Sequence, residues 1–175
     1  GTRVESEITG GTYELLGNET LSKIMYENMK VVGGYTLTPD EVAFGQKIQG
    51  TEGVSKKDLG LTNTIQDFKV DNSADGGSTD VGDVSWAVPT AGCRTATWIP
   101  GTPAHSWQAV AAGGTPIGEK GMMIAAKTLA LSAIELFQNP AAIAKAKEEH
   151  KTKIGPDFQY KAMVGDRKPA LDYRK

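Results

Sequence analysis

The chain has 175 residues, 39% of them hydrophobic, which suffices for one core with roughly two-thirds of the surface removed from water. Nineteen basic residues against twenty-one acidic ones leave a net charge of −2, which argues against a broad nucleic-acid surface or a polybasic membrane anchor. Cys93 is the single cysteine, so an internal disulfide framework is excluded. No run of about 18 apolar residues is present and the N-terminus lacks the regions of a signal peptide. The expectation is a cytoplasmic protein with a buried thiol, and Gly1 in place of a starting methionine reads as a cut chain.

In chain order, Thr2–Ile8 alternates strictly, with Val4, Ser6 and Ile8 on one face and Arg3, Glu5 and Glu7 on the other. This predicts a half-solvated strand near a sheet edge, stopped by Gly10 and Gly11. Asn18 is an N-cap, and Leu21, Ile24, Met25, Met29 and Val32 form one helical stripe that ends at Gly33. That helix is expected to pack on a sheet. Thr38, Pro39 and Glu41 supply a cap hydroxyl, a first-turn proline and a capping-box carboxylate, so a second helix runs to about Lys47 or Ile48 and Gly50 ends it. A flexible surface connection with three glycines and Lys56, Lys57 and Asp58 follows. Leu61–Val70 is weakly patterned, with one strand around Gln66–Val70.

Trp86–Pro89 and Gly92–Trp98 read as short strands rich in β-branched and aromatic residues, the second inside the sheet. Thr115 and Pro116 open the longest helix, from about Glu119 to Phe137. It is apolar nearly all round, so burial against the sheet is expected, with Met122 and Met123 as core fillers. Asn139 and Pro140 start a last helix to about His150, whose Lys145, Lys147, Glu148 and Glu149 mark a solvated face, and His150 reads as ordinary surface. The tail from Lys151 is expected to be irregular or to lie over a partner. The resulting fold class is α/β.

Chemistry concentrates between Asp75 and Trp107. Gly76, Gly77, Ser78, Thr79, Asp80 and Asp83 combine glycines that let backbone N–H groups approach a ligand with polar groups on a loop. His105 follows Pro103 in a second loop, which suits a metal ligand or a general base. A pair of tight turns with helix caps explains the same residues equally well. Phosphate-binding, dinucleotide-binding, nucleophile-elbow, His-Glu-x-x-His and Cys-x-x-Cys patterns are absent. One well-placed imidazole does not make a zinc or manganese site.

Three blocks taken together are more specific: Gly77–Trp86, Gly101–Trp107 and Gly118–Lys127. They resemble the C-terminal half of members of the dinuclear metal amidohydrolase and carboxypeptidase family, which includes glutamate carboxypeptidase and the bacterial aminoacylases. The resemblance covers nearly the whole chain. It implies a mixed sheet flanked by helices, interrupted by an inserted lid domain that also dimerises. Residues 1–11 would be the last strand of that lid, 12–150 the returning half of the catalytic domain, and 151–175 an irregular tail. It implies two divalent ions, zinc or manganese, with His105 as the one metal ligand present here and the other ligands and the general base lying elsewhere. It assigns Gly76, Gly77, Ser78, Thr79 and Asp80 to a substrate pocket, and leaves Asp83 as either a contact or a turn-former. The implied reaction is hydrolysis of a p-aminobenzoyl-glutamate-like folate fragment to p-aminobenzoate and glutamate, with the 175 residues inactive alone. The implied partners are the small-molecule substrate and a companion subunit of A type or a further copy, to which an unpaired Thr2–Ile8 edge would add. A carboxylate-binding module without metals and a purely structural half-domain are the competing readings.

Overall fold

The computed structural model describes residues 1–70, 79–168 and 171, and these residues are helical rather than α/β. Six α-helices follow in order: α1 Glu19–Val32, α2 Pro39–Gln49, α3 Val81–Ala87, α4 Trp107–Gly113, α5 Pro116–Gln138 and α6 Pro140–Ile154, with a 3-10 turn at Leu59–Asn63. The structure is 51% helix and 1% strand, so the expected mixed sheet is overturned. The one β pairing among the described residues is an isolated parallel bridge between Gly17 and Thr90.

The physical reason differs from segment to segment. Alternation at Thr2–Ile8 states which face a strand would bury, but a ladder needs a neighbouring strand. None lies alongside among the described residues, and Val4 is 90% exposed. Gln66–Val70 and Gly92–Trp98 likewise pair with nothing there. Trp86–Pro89 departs from expectation for another reason. Its first residues end α3, whose Val81 and Val84 face solvent while the small Gly82 and Ser85 face inward. β-branched residues on an exposed face carry no information about the buried one.

Where caps are explicit, the helices start as the sequence dictates. The Asn18 side chain accepts from Leu21 N at 3.0 Å and Gly33 closes α1 at φ 75°. At α2, Thr38 Oγ1 accepts from Glu41 N and the Glu41 carboxylate accepts from Thr38 N, a complete capping box. Thr115 and Pro116 open α5 as read.

The core lies where α2, α4 and the start of α5 meet. Ile48, Ile99, Ala112 and Ile117 are buried, with Tyr35, Leu37, Phe44, Val54 and Leu59 packed around them. Each large side chain enclosed there contributes about 1.5–3 kcal/mol. A second layer forms where α1 packs on α5 and α6. Here α5 departs from expectation, because the residues it buries are Ile117, Gly118, Gly121, Thr128 and Ser132. Met122 and Met123 are exposed, so they are not core fillers. Cys93 is only half-buried, although burial still pushes its thiol up.

His150 corrects another expectation: it is buried, and Nε2 lies 2.9 Å from the Ser85 carbonyl oxygen. A carbonyl only accepts, so that nitrogen carries the proton. Glu149 is not on a solvated face either. Its carboxylate reaches across to the first backbone N–H groups of α1. Among the described residues no helix is long and apolar enough to cross a membrane.

Candidate functional site

The His105 loop is fixed from its base upward. Ile99, 1% exposed, anchors it in the core. Gln49 Nε2 donates to Pro100 O at 2.9 Å and to Lys57 O at 2.7 Å, and Ser55 N donates to Gly101 O at 3.2 Å. Gly101 has φ 92°, and a Cβ there would strike the Ser55 carbonyl, so only glycine lets the two segments meet. On the far side Ser106 caps α4, accepting from Ala109 N at 3.2 Å and donating to Pro103 O at 2.7 Å. Gln108, 4% exposed, ties the start of α4 to Thr51 Oγ1 and Glu52 O.

Between these anchors stands His105, exposed and at φ 56°. Among the described residues no other non-glycine residue has positive φ. That conformation costs about 1–2 kcal/mol for a residue with a side chain, so the flanking bonds hold the imidazole against its own preference. Three residues earlier the Thr102 hydroxyl is enclosed without a hydrogen-bond partner among the described residues.

The second predicted segment is built differently. Gly76, Gly77 and Ser78 lie outside the described residues. Thr79 Oγ1 accepts from Val81 N at 3.2 Å, leaving its hydroxyl proton undirected among the described residues. Asp80 takes the N-cap position of α3 in αR conformation, exposed and without a capping bond from its side chain. Asp83 is engaged by two distant segments of the chain. Its Oδ2 accepts from Tyr13 N at 3.3 Å and its Oδ1 from Tyr160 OH at 2.7 Å.

Around Asp83 the two outer segments of the chain clasp α3. Leu16 N donates to Ser85 Oγ at 2.8 Å and Trp86 Nε1 to Glu14 O at 2.9 Å. Tyr13 OH donates to Lys161 O at 3.1 Å, and Arg167 reaches Ile8 O and the Glu7 carboxylate. Trp86 packs with its ring tilted against Phe158 at 4.8 Å and against Tyr13 at 5.5 Å. Gly82 permits this, because a Cβ there would collide with the Tyr13 carbonyl. Sequence reasoning missed Tyr13, Phe158 and Tyr160 because their partners lie 70 or more positions away.

The bonds that fix the His105 loop run to residues 49–57, whereas those accepted by Asp83 and Ser85 come from residues 13, 16 and 160. The His105 loop and the Asp83 end of the other segment therefore rest on separate supports. Among the described residues no group of three or more His, Cys, Asp or Glu side chains is placed to hold a metal ion. A third polar feature, the cleft between the N-termini of α2 and α5, is closed electrostatically. There Lys120 Nζ binds the Glu41 carboxylate at 2.7 Å, which with the Thr38 bonds holds that carboxyl below its ordinary value.

Comparison with known proteins finds no matching family model and no matching solved structure. It does find the B-type subunit of p-aminobenzoyl-glutamate hydrolase from Escherichia coli strain K12, 30% identical over 172 residues, in a match covering 85% of this chain and 36% of that protein. The chain thus spans a little over a third of the length of its curated relative. Over most of its length the chain is thus similar to the B-type subunit of p-aminobenzoyl-glutamate hydrolase.

Proposed function

We propose that this chain forms part of a hydrolase that cleaves the aryl-amide bond of p-aminobenzoyl-glutamate, releasing p-aminobenzoate and glutamate, and that His105 is the residue it brings to the reacting centre. The observation that carries the reading is the conformation of His105. An exposed imidazole is held at φ 56° by a loop anchored in the core and by a capped helix, within a chain similar to a subunit of that hydrolase. Strain maintained on an exposed side chain does nothing for the core, so a task for the imidazole accounts for it.

The resemblance implies two divalent ions. The donors among the described residues do not fit that site by themselves: His105 offers one imidazole, and the second histidine is committed to Ser85. No catalytic step is therefore assigned to a metal, and the 175 residues alone are expected to be inactive. In the same reading Thr79 and the glycines before it bind the glutamate carboxylate, the hydroxyl of Thr79 being one donor. A subunit partner, as the relative's name describes for that protein, belongs to the proposal as well.

The test is a chimera in which this chain replaces the matching portion of the relative. p-Aminobenzoate release is compared with that of its His105→Ala form and of the isolated chain. The expected result is turnover by the chimera, a loss of at least about a hundredfold in kcat/KM for His105→Ala with unchanged circular dichroism, and no turnover by the isolated chain. Full activity in His105→Ala overturns the assignment and favours a carboxylate-binding or assembly module.

A further inference from the structure

The left-handed backbone of His105 needs a hold from outside its own loop. Ser106 braces the turn only locally, since its hydroxyl donates to Pro103 O and accepts from Ala109 N, and neither partner leaves the loop or α4. The Thr102 hydroxyl finds no partner among the described residues. α4 is a short support: seven residues are too few for a helix to stand by propensity, and those it buries are Gln108, Ala109 and Ala112. Two alanines remove little apolar surface from water, so packing alone aims α4 weakly.

The third buried residue is an amide. Gln108 is 4% exposed, and its Nε2 donates to Thr51 Oγ1 and to Glu52 O, both at 3.1 Å. Thr51 Oγ1 in turn donates to Ile48 O at 2.7 Å, at the end of α2. An amide in a place that an apolar side chain could fill costs desolvation unless its protons are used, and once they are used it admits one geometry. Both protons of Gln108 go to acceptors on the segment that follows α2, which ties the first turn of α4 to the body of the fold. Gln49 holds the other end of the loop, but its bond ends at Pro100, with Gly101 standing between that residue and His105. Only Ser106, the cap of α4, and Trp107 stand between His105 and Gln108.

We propose that Gln108 is a positioning residue for His105: it fixes the first turn of α4 where the preceding residue can be reached only through a left-handed backbone, and so sets the direction of the imidazole. The inference rests on the reading of His105 as the residue brought to the reacting centre. Gln108 touches no reacting atom in that reading and acts through the backbone between the two residues.

The test is a double-mutant cycle in the 175-residue chain, read by urea unfolding. Gln108→Met keeps the length of the side chain and loses both donors; His105→Gly removes the strained side chain. In the parent, His105→Gly is expected to shift the unfolding equilibrium about fivefold toward the folded state, and in the Gln108→Met background less than about twofold, because a loop no longer held has already relaxed. A fivefold gain in both backgrounds overturns the proposal, since a glutamine with a merely structural role lowers stability without touching the strain. No gain in the parent overturns it as well, there being no strain to hold. If Gln108→Met does not fold, Thr51→Val removes one of the two acceptors in its place; a gain clearly below fivefold is then expected, and the full fivefold overturns the proposal. In the chimera, Gln108→Met is expected to lower kcat about tenfold with KM within about twofold of the parent. Unchanged kcat beside a crippled His105→Ala also overturns the proposal. A chimera indifferent to His105→Ala sinks the hydrolase reading instead, and the unfolding cycle still decides whether Gln108 holds His105.

Discussion

Replacing Glu149 by glutamine is the sharpest test of how the second layer holds together. Its carboxylate accepts from Glu19 N at 2.6 Å and Thr20 N at 2.9 Å, so a side chain of α6 satisfies two of the N–H groups that the first turn of α1 leaves open. Burial works to raise this carboxyl. The bonds from Lys153, Thr20 and Glu19 outweigh it and hold the group at about 2, against an ordinary 4.5. That difference corresponds to about 3 kcal/mol of preference for the charged form, and screening through the partly exposed Lys153 brings the contribution to about 2 kcal/mol. The folded value lies below the unfolded one, so the stabilisation is complete above about 4.5 and is lost as pH falls toward 2. Urea unfolding followed by circular dichroism is expected to show Glu149→Gln about 2 kcal/mol less stable than the parent at neutral pH, with the gap closing on acidification. Lys153→Met keeps the cap and loses the ion pair together with the bond from Nζ to Gly17 O, and should cost no more than about 1 kcal/mol. Equal stability of Glu149→Gln and the parent at neutral pH, or a gap that persists at pH about 2, refutes the reasoning.

Three further outcomes are expected. Gly82→Ala drives a methyl into the Tyr13 carbonyl and should cost about 2–4 kcal/mol in denaturant midpoint stability, despite the better helix propensity of alanine. Asp83→Asn weakens the bonds to Tyr13 and Tyr160, and limited proteolysis should cut the segment around Phe158–Met163 about tenfold faster while Trp86 fluorescence reports its release. His105→Gly relieves a left-handed side chain and should raise stability by about 1 kcal/mol, the reverse of the effect on hydrolysis expected in the chimera; a destabilised variant contradicts the strain argument.

The legible parts of the sequence are those whose determinants lie within a few residues of each other. Asn18, Thr38 and Thr115 mark the starts of α1, α2 and α5 because a cap bonds two or three positions ahead. That the described residues form no sheet is not legible, because alternation in Thr2–Ile8 and β-branched residues in Gly92–Trp98 describe a preference that only a neighbouring strand satisfies. His150 and Glu149 are misplaced by sequence for the same reason in reverse. Their partners, Ser85 and the start of α1, lie 65 and about 130 positions away, and nothing in the helix around them announces it. Of the candidate site, His105 is legible by its loop composition, but its left-handed backbone is not, since histidine gives no local signal for it. The role of Asp83 as a clasp is hidden because Tyr13 and Tyr160 approach it from opposite ends of the sequence.

The clasp over α3 also bears on the order of assembly. Tyr13 meets Lys161 across 148 positions and Asp83 meets Tyr160 across 77, so each contact closes a long loop whose entropy is lost before any bond is gained. The helices of the second layer are each nucleated by a local cap, while their packing closes a loop of the same kind, from Glu149 to the start of α1 across about 130 positions. What sets the clasp apart is that it adds no helix of its own: it fastens irregular chain onto α3. An unchanged folding rate and faster unfolding in Asp83→Asn would make the segment that follows Ile154 a kinetic latch on helices already formed.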